Sequence, residues 1–173
     1  IATSTAQTIT TSHFTTLVDQ LQSSTTTSRL WAGWRVVTAS EPTYTVTLGG
    51  STAYVATSMA LPGINSIAPG PVQVALSQAT PASLSHTAPA ILPSAFPALI
   101  MSLHEFANSV TWTPPAGSIE DVDRASSGRN IAGVSLEVNH LFRTAGGTVG
   151  PYTALAASTF AADAGAAATV AWL

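Results

Sequence analysis

Residues Ser109 to Phe142, SVTWTPPAGSIEDVDRASSGRNIAGVSLEVNHLF, decide how the fold is read. Val110, Thr111, Trp112 and Thr113 favour a strand. Pro114-Pro115-Ala116-Gly117 ends it, because proline offers no ladder donor and glycine permits a reversal. Ser118 to Asp123 reads as a second strand, and Ser126-Ser127-Gly128 as a second turn. Gly133 to Phe142 reads as a long third strand. Val134, Leu136, Val138 and His140 point to one side of it, and Ser135, Glu137, Asn139 and Leu141 to the other. Three strands joined by tight turns predict an antiparallel meander.

The rest of the chain repeats this rhythm. Ile1 to Ser12 is threonine-rich and reads as a peripheral or edge strand. Phe14, Leu17, Val18 and Leu21 fit a helical stripe, with Ser12 as a possible N-cap, or a buried strand leading into a turn at Ser23 to Ser28. Leu30 to Thr38 is a strand. Tyr44, Val46 and Leu48 alternate, and Gly49-Gly50 predicts a hairpin whose partner carries Tyr54, Val55 and Met59. Residues 61–71 form a crossover dense in proline and glycine. Val72, Val74 and Leu76 alternate as the next strand, and Thr80 to Pro93 is extended between prolines. Ala98 to Leu103 is a short apolar run. Gly146-Gly147 turns the chain, and Tyr152 to Thr159 and Ala166 to Leu173 close the strand series. Ala161 to Ala168 suits a helix by propensity, but Gly165 and the lack of large apolar residues weaken that.

Phe14 to Leu21 and Phe96 to Leu103 share apolar spacing. Each precedes a tryptophan strand, then a Gly-Gly turn and a tyrosine strand (Tyr54, Tyr152). This echo raises the alternative of an internal half-repeat. Short strands with turn signals every 8–12 residues or so favour a sandwich, so both ambiguous segments are assigned as strands. The expected fold is all-β, an antiparallel β-sandwich of jelly-roll-like order. It forms one domain over 1–173, with halves at approximately 1–66 and 72–173.

Composition narrows the chemistry. The 173 residues suffice for one domain with a proper core. Charged residues are only 8% of the chain against 46% hydrophobic, with a net charge of -3, so the chain should fold. Its polarity comes from serine and threonine, which suits a surface packed against copies of itself or other proteins. All five cations are arginine; without lysine there is no Walker-type loop, Schiff-base lysine or Ser-Lys dyad. A pI of about 5.7 argues against general nucleic-acid binding. Absent cysteine removes disulfides, cysteine-based zinc sites and thiol chemistry. No apolar run reaches the roughly 18 residues of a membrane span. The sequence starts at Ile1 and stops at Leu173 in the middle of an apolar run, the expectation for a segment of something longer.

No catalytic signature emerges. His104-Glu105 opens a zinc-protease word, but its second histidine falls at Asn108. Glu137 and His140 have di-iron spacing, yet on a strand they face opposite sides. Asp121 and Asp123 share a strand face and can offer oxygens to Ca²⁺, but no glycine-spaced acidic loop accompanies them. Pairing with Arg124 or Arg129, or solvation, is the preferred expectation, so no metal or cofactor is assigned. No Gly-x-Ser-x-Gly elbow occurs. Trp31, Trp34 and Trp112 can stack on sugars if exposed, or fill the core if not.

Ala98-Leu-Ile-Met-Ser-Leu103, Thr111-Trp-Thr-Pro-Pro-Ala-Gly117, Glu120-Asp-Val-Asp-Arg124 and Ala145-Gly-Gly-Thr-Val-Gly-Pro-Tyr-Thr153 give residues 96–173 a resemblance. It is to a module of minor tail and other surface proteins of tailed phages, especially those of actinobacteria, and of related bacterial surface proteins. Ala32-Gly33-Trp34, Ala53-Tyr-Val-Ala56 and Leu61-Pro-Gly-Ile-Asn-Ser66 resemble its other part. The family often carries tryptophan after the turn glycine, where this chain has Ser118. The resemblance implies a β-sandwich building block of a virion with no catalytic set, partnered by other virion proteins or by copies of itself. The alternative is a carbohydrate-binding or adhesion module of a secreted or cell-surface protein that meets a host-surface glycan.

Overall fold

The computed structural model describes residues 1–22, 28–37, 43–64, 72–126, 133–157 and 162–173, without the side chain of Val74. Fourteen strands and no helix occur among these residues. They are β1 (Ala2–Thr3), β2 (Ile9–Thr11), β3 (Thr15–Leu21), β4 (Arg29–Trp34), β5 (Val46–Leu48), β6 (Tyr54–Val55) and β7 (Val72–Ser83). They continue with β8 (Ser85–Ala88), β9 (Ala98–Phe106), β10 (Thr111–Thr113), β11 (Ile119–Ala125), β12 (Ser135–Arg143), β13 (Tyr152–Ala157) and β14 (Asp163–Trp172). All strand pairs are antiparallel. Both ambiguous segments are strands, as assigned. The expected turn at 23–28, the crossover beyond residue 64, the Ser126-Ser127-Gly128 turn and Arg129 fall wholly or mostly outside the described residues.

A five-stranded sheet in the order β11-β12-β9-β14-β7 forms the centre. Every residue of β9 is buried, which an antiparallel sheet achieves only when both faces are covered. On one face Leu99, Met101 and Leu103 of β9 meet Val134, Leu136 and Val138, and pack on Ala2, Val18, Leu30 and Val55. Those last four belong to or border the sheet β3-β4-β1-β6. The core cluster therefore draws on both sides of the 61–71 segment. On the other face Phe106 packs with Val110, Trp112, Ala154 and Ala156, beneath the three-stranded sheet β10-β13-β8. β14, inside the central sheet, carries alanines at 164, 166, 167, 168 and 171 that are all fully buried. At Gly165 even a methyl group would sit 2.0 Å from the Glu105 carbonyl oxygen. Small residues here are a packing requirement of a strand enclosed on two sides.

Several local expectations change. The meander is only partly formed: β11 pairs with β12, but β10 pairs with β13 in the covering sheet. The diproline gives no ladder donors, and the reversal at Pro115–Ser118 closes with Ser118 N–H donating to the Pro115 carbonyl at 3.1 Å and Gly117 at φ +81°. It carries the chain from one layer to the other instead of folding a hairpin. The predicted Tyr44–Met59 hairpin is absent too. β5 pairs with β2 and β6 with β1. Hence only part of Ile1 to Ser12 is peripheral: β1 lies inside its sheet between β4 and β6, with Ala2 and Thr3 fully buried, while β2 is a partly exposed strand of the two-stranded sheet β2-β5. The two tryptophan strands also differ in topology, since β4 pairs directly with β3 whereas β10 makes no pair with β9.

Candidate functional site

Trp31 and Trp112 are both buried, at 6% exposure. Trp31 meets Phe14 edge-on at 6.3 Å, and Trp112 caps a ring cluster with His86, His104 and Phe106 at centroid distances of 5.6 to 6.2 Å. Trp34 is half-buried, edge-on to Trp172 at 6.4 Å. The three tryptophans are therefore dispersed through the core and do not form one platform.

The face of the central sheet beneath Trp112 is unusually polar for an interior. Ser102, His104, Ser135, Glu137, Asn139 and Thr169 are all buried there. Cross-strand register sets Glu137 opposite His104 and Asn139 opposite Ser102. His86 Nε2 lies 3.0 Å from the Ser83 carbonyl, which only accepts, so this nitrogen carries the proton. Its Nδ1 then accepts from the Thr80 hydroxyl at 2.5 Å. That pair has the form of a hydroxyl activated by an oriented imidazole, but His86 is fully buried and Thr80 nearly so. Burial lowers the His86 pKa to about 4 and that of His104 to about 3, so both rings are neutral at pH 7.

The acidic strand β11 departs from regular alternation. Ile119 pairs with His140, Glu120 with Asn139, Val122 with Val138 and Asp123 with Glu137, with a bulge between Glu120 and Val122. Two residues three apart normally face opposite ways. The extra residue, Asp121, reverses the phase, so Glu120 and Asp123 face the same side as Glu137. Carboxylate oxygens of Glu120, Asp123 and Glu137 come within 4.8 Å of one another. Asp121 instead meets His140 Nδ1 at 2.8 and 2.9 Å. The expectation that Asp121 and Asp123 act from one face is thus corrected: the bulge separates them. Neither pairs with Arg124 among the described residues, and Glu137 and His140 face apart as expected.

Glu137 is fully buried, and neither of its carboxylate oxygens makes a well-formed hydrogen bond. Burial, then Glu120 and Asp123 beside it, push its pKa up to about 8. Asn139, also fully buried, lies against the Glu137 carboxylate, with both amide atoms short of well-formed hydrogen bonds. Asp123 Oδ2 accepts the Trp112 backbone N–H at 3.1 Å, while its Oδ1 is buried and unpartnered. Glu120 is exposed. Sequence reading missed Glu120, Glu137 and Asn139 as a group because strict alternation assigns Glu120 to the wrong face.

A separate groove of about 420 Å³ lies on the other side of the sheet, with Met59, Leu61, Ile64, Met101 and Phe142 among its lining. No protein family, curated protein or solved structure matches this chain.

Proposed function

We propose that this chain is a non-enzymatic structural module that works packed among copies of itself or other proteins of a larger particle. A tailed-phage virion is the context implied by the resemblance of its Thr111–Gly117 turn. The observation that carries the reading is the surface. Twelve large apolar side chains are exposed among the described residues, including Val37, Leu92 and Phe142 at 64–69% and Ile119 at 60%. Only 13 side chains of the whole sequence, five cationic and eight acidic, are available to keep copies apart. Apolar surface with so little charge favours association. The outer strands of the central sheet, β7 and β11, add backbone groups that a neighbouring chain can pair with.

The burial of Trp31 and Trp112 supports this reading over a carbohydrate-binding module, because sugar stacking needs an open ring face. Light scattering across a concentration series, beside a glycan array, tests the proposal. We expect association that rises with concentration and no glycan signal. A monomer at high concentration that retains a glycan would overturn it.

A further inference from the structure

Three carboxylates converging on one point repel each other, and the cost grows as they leave water. Such a group persists when protons or a cation neutralise it. The bulge at Asp121 brings Glu120 round to Asp123 and Glu137, and none of the three pairs with an arginine among the described residues. Asn139 is an independent sign of a ligand. It is a neutral amide, fully buried, that sets an N–H against the Glu137 carboxylate and leaves its Oδ1 without a hydrogen bond. Buried polar atoms without partners are rare in native proteins.

We propose that Glu120, Asp123, Glu137 and Asn139 bind a hard divalent cation, Ca²⁺ being the ion that fits. Oxygens bound to one Ca²⁺ at about 2.3–2.6 Å lie no more than about 5 Å apart, and the three carboxylates meet that limit at 4.8 Å. An all-oxygen donor set selects hard ions over zinc or copper. Carboxylates on a bulged strand also suit the flexible shell of Ca²⁺ better than the strict octahedron of Mg²⁺. Exposed Glu120 leaves a route from solvent and room for water ligands. The bound ion ties β11 to β12. Through the Asp123 contact with the Trp112 N–H, it also holds the edge of β10, closing the flank of the sandwich.

The test uses the whole chain stripped of metal, then given CaCl₂, MgCl₂ or Tb³⁺ as a luminescent stand-in for Ca²⁺. Trp112, adjoining Asp123, serves as the sensitiser. We expect Ca²⁺ at about a hundredfold excess over its Kd to raise Tm by roughly 5–10 °C. Mg²⁺ should do less, and Tb³⁺ should luminesce and be displaced by Ca²⁺. Glu137→Gln and Glu120→Gln should each weaken Tb³⁺ binding at least about tenfold, while Asp19→Asn on β3 leaves it unchanged. Glu120 is exposed, so Glu120→Gln decides the matter even if Glu137→Gln fails to fold. Absence of both the Tm rise and the luminescence would overturn the site. So would a response unchanged in Glu120→Gln, and equal stabilisation by Mg²⁺ would overturn the choice of Ca²⁺.

Discussion

Glu105 is a carboxyl group with no exposed surface, whose Oε2 accepts a hydrogen bond from the Ser28 hydroxyl at 2.9 Å. Burial pushes its pKa up to about 8 from 4.5, against the Ser28 and Ala166 hydrogen bonds and with help from Asp163. Between those values the folded chain keeps a proton that the unfolded chain has lost. Stability therefore falls as pH rises through that window. His86 and His104 act in the opposite sense. Their lowered pKa values mean that only the unfolded chain takes up protons just below pH 6.5, so stability also falls on acidification. Glu137, also raised to about 8, adds to the alkaline fall. Below about pH 6.5 the carboxyl and imidazole effects oppose each other, so thermal melts should show stability falling mainly between about pH 6.5 and 8. Glu105→Gln should roughly halve the loss between about pH 6.5 and 8, with Glu137 supplying the rest, and should uncover a fall on acidification below about pH 6.5; an alkaline limb identical to the parent's would refute this. The tryptophans differ in the same graded way. Trp112→Ala removes a buried ring and should cost about 3–5 kcal/mol. Trp34→Ala, at a half-buried position, should cost roughly half as much, in proportion to the area involved. Chemical denaturation of both variants measures the difference.

At the scale of the element, β11 shows what one extra residue does. Its sequence, Ile-Glu-Asp-Val-Asp-Arg-Ala, reads under strict alternation as a strand with Asp121 and Asp123 on one face. The bulge reverses that phase halfway along, because a one-residue offset moves every later side chain to the other face. Deleting Asp121 should restore the regular ladder, turn Ile119 toward the acidic group and turn Glu120 away. We expect a chain that still folds but is less stable by about 1–3 kcal/mol, with the Ca²⁺-dependent rise in Tm gone. Thermal melts with and without CaCl₂ check both outcomes. β12 shows the complementary case. Its alternation was correctly legible, with Val134, Leu136 and Val138 on one face and Ser135, Glu137 and Asn139 on the other. That the second, polar face is buried as deeply as the first has no local signal, since it depends on a second sheet lying over it.

Across the whole molecule, the residues by themselves determined the all-β class, the strand character of Thr111–Thr113, Ala98–Leu103 and Ser135–Phe142, and the reversal at Pro115–Gly117. Those follow from local causes: β-branched and aromatic runs, prolines without donors, and a glycine where φ must be positive. Only the tertiary structure decided which strands became neighbours. β1 pairs with strands that begin 27 and 52 residues after its own first residue, Ala2. β10 left its sequence neighbours for β13. The tryptophans went to separate parts of the core, and Glu120 joined Asp123 and Glu137. Pairing between distant strands is settled by which apolar faces bury each other best. That is a property of the assembled layers, and no window of the chain contains it.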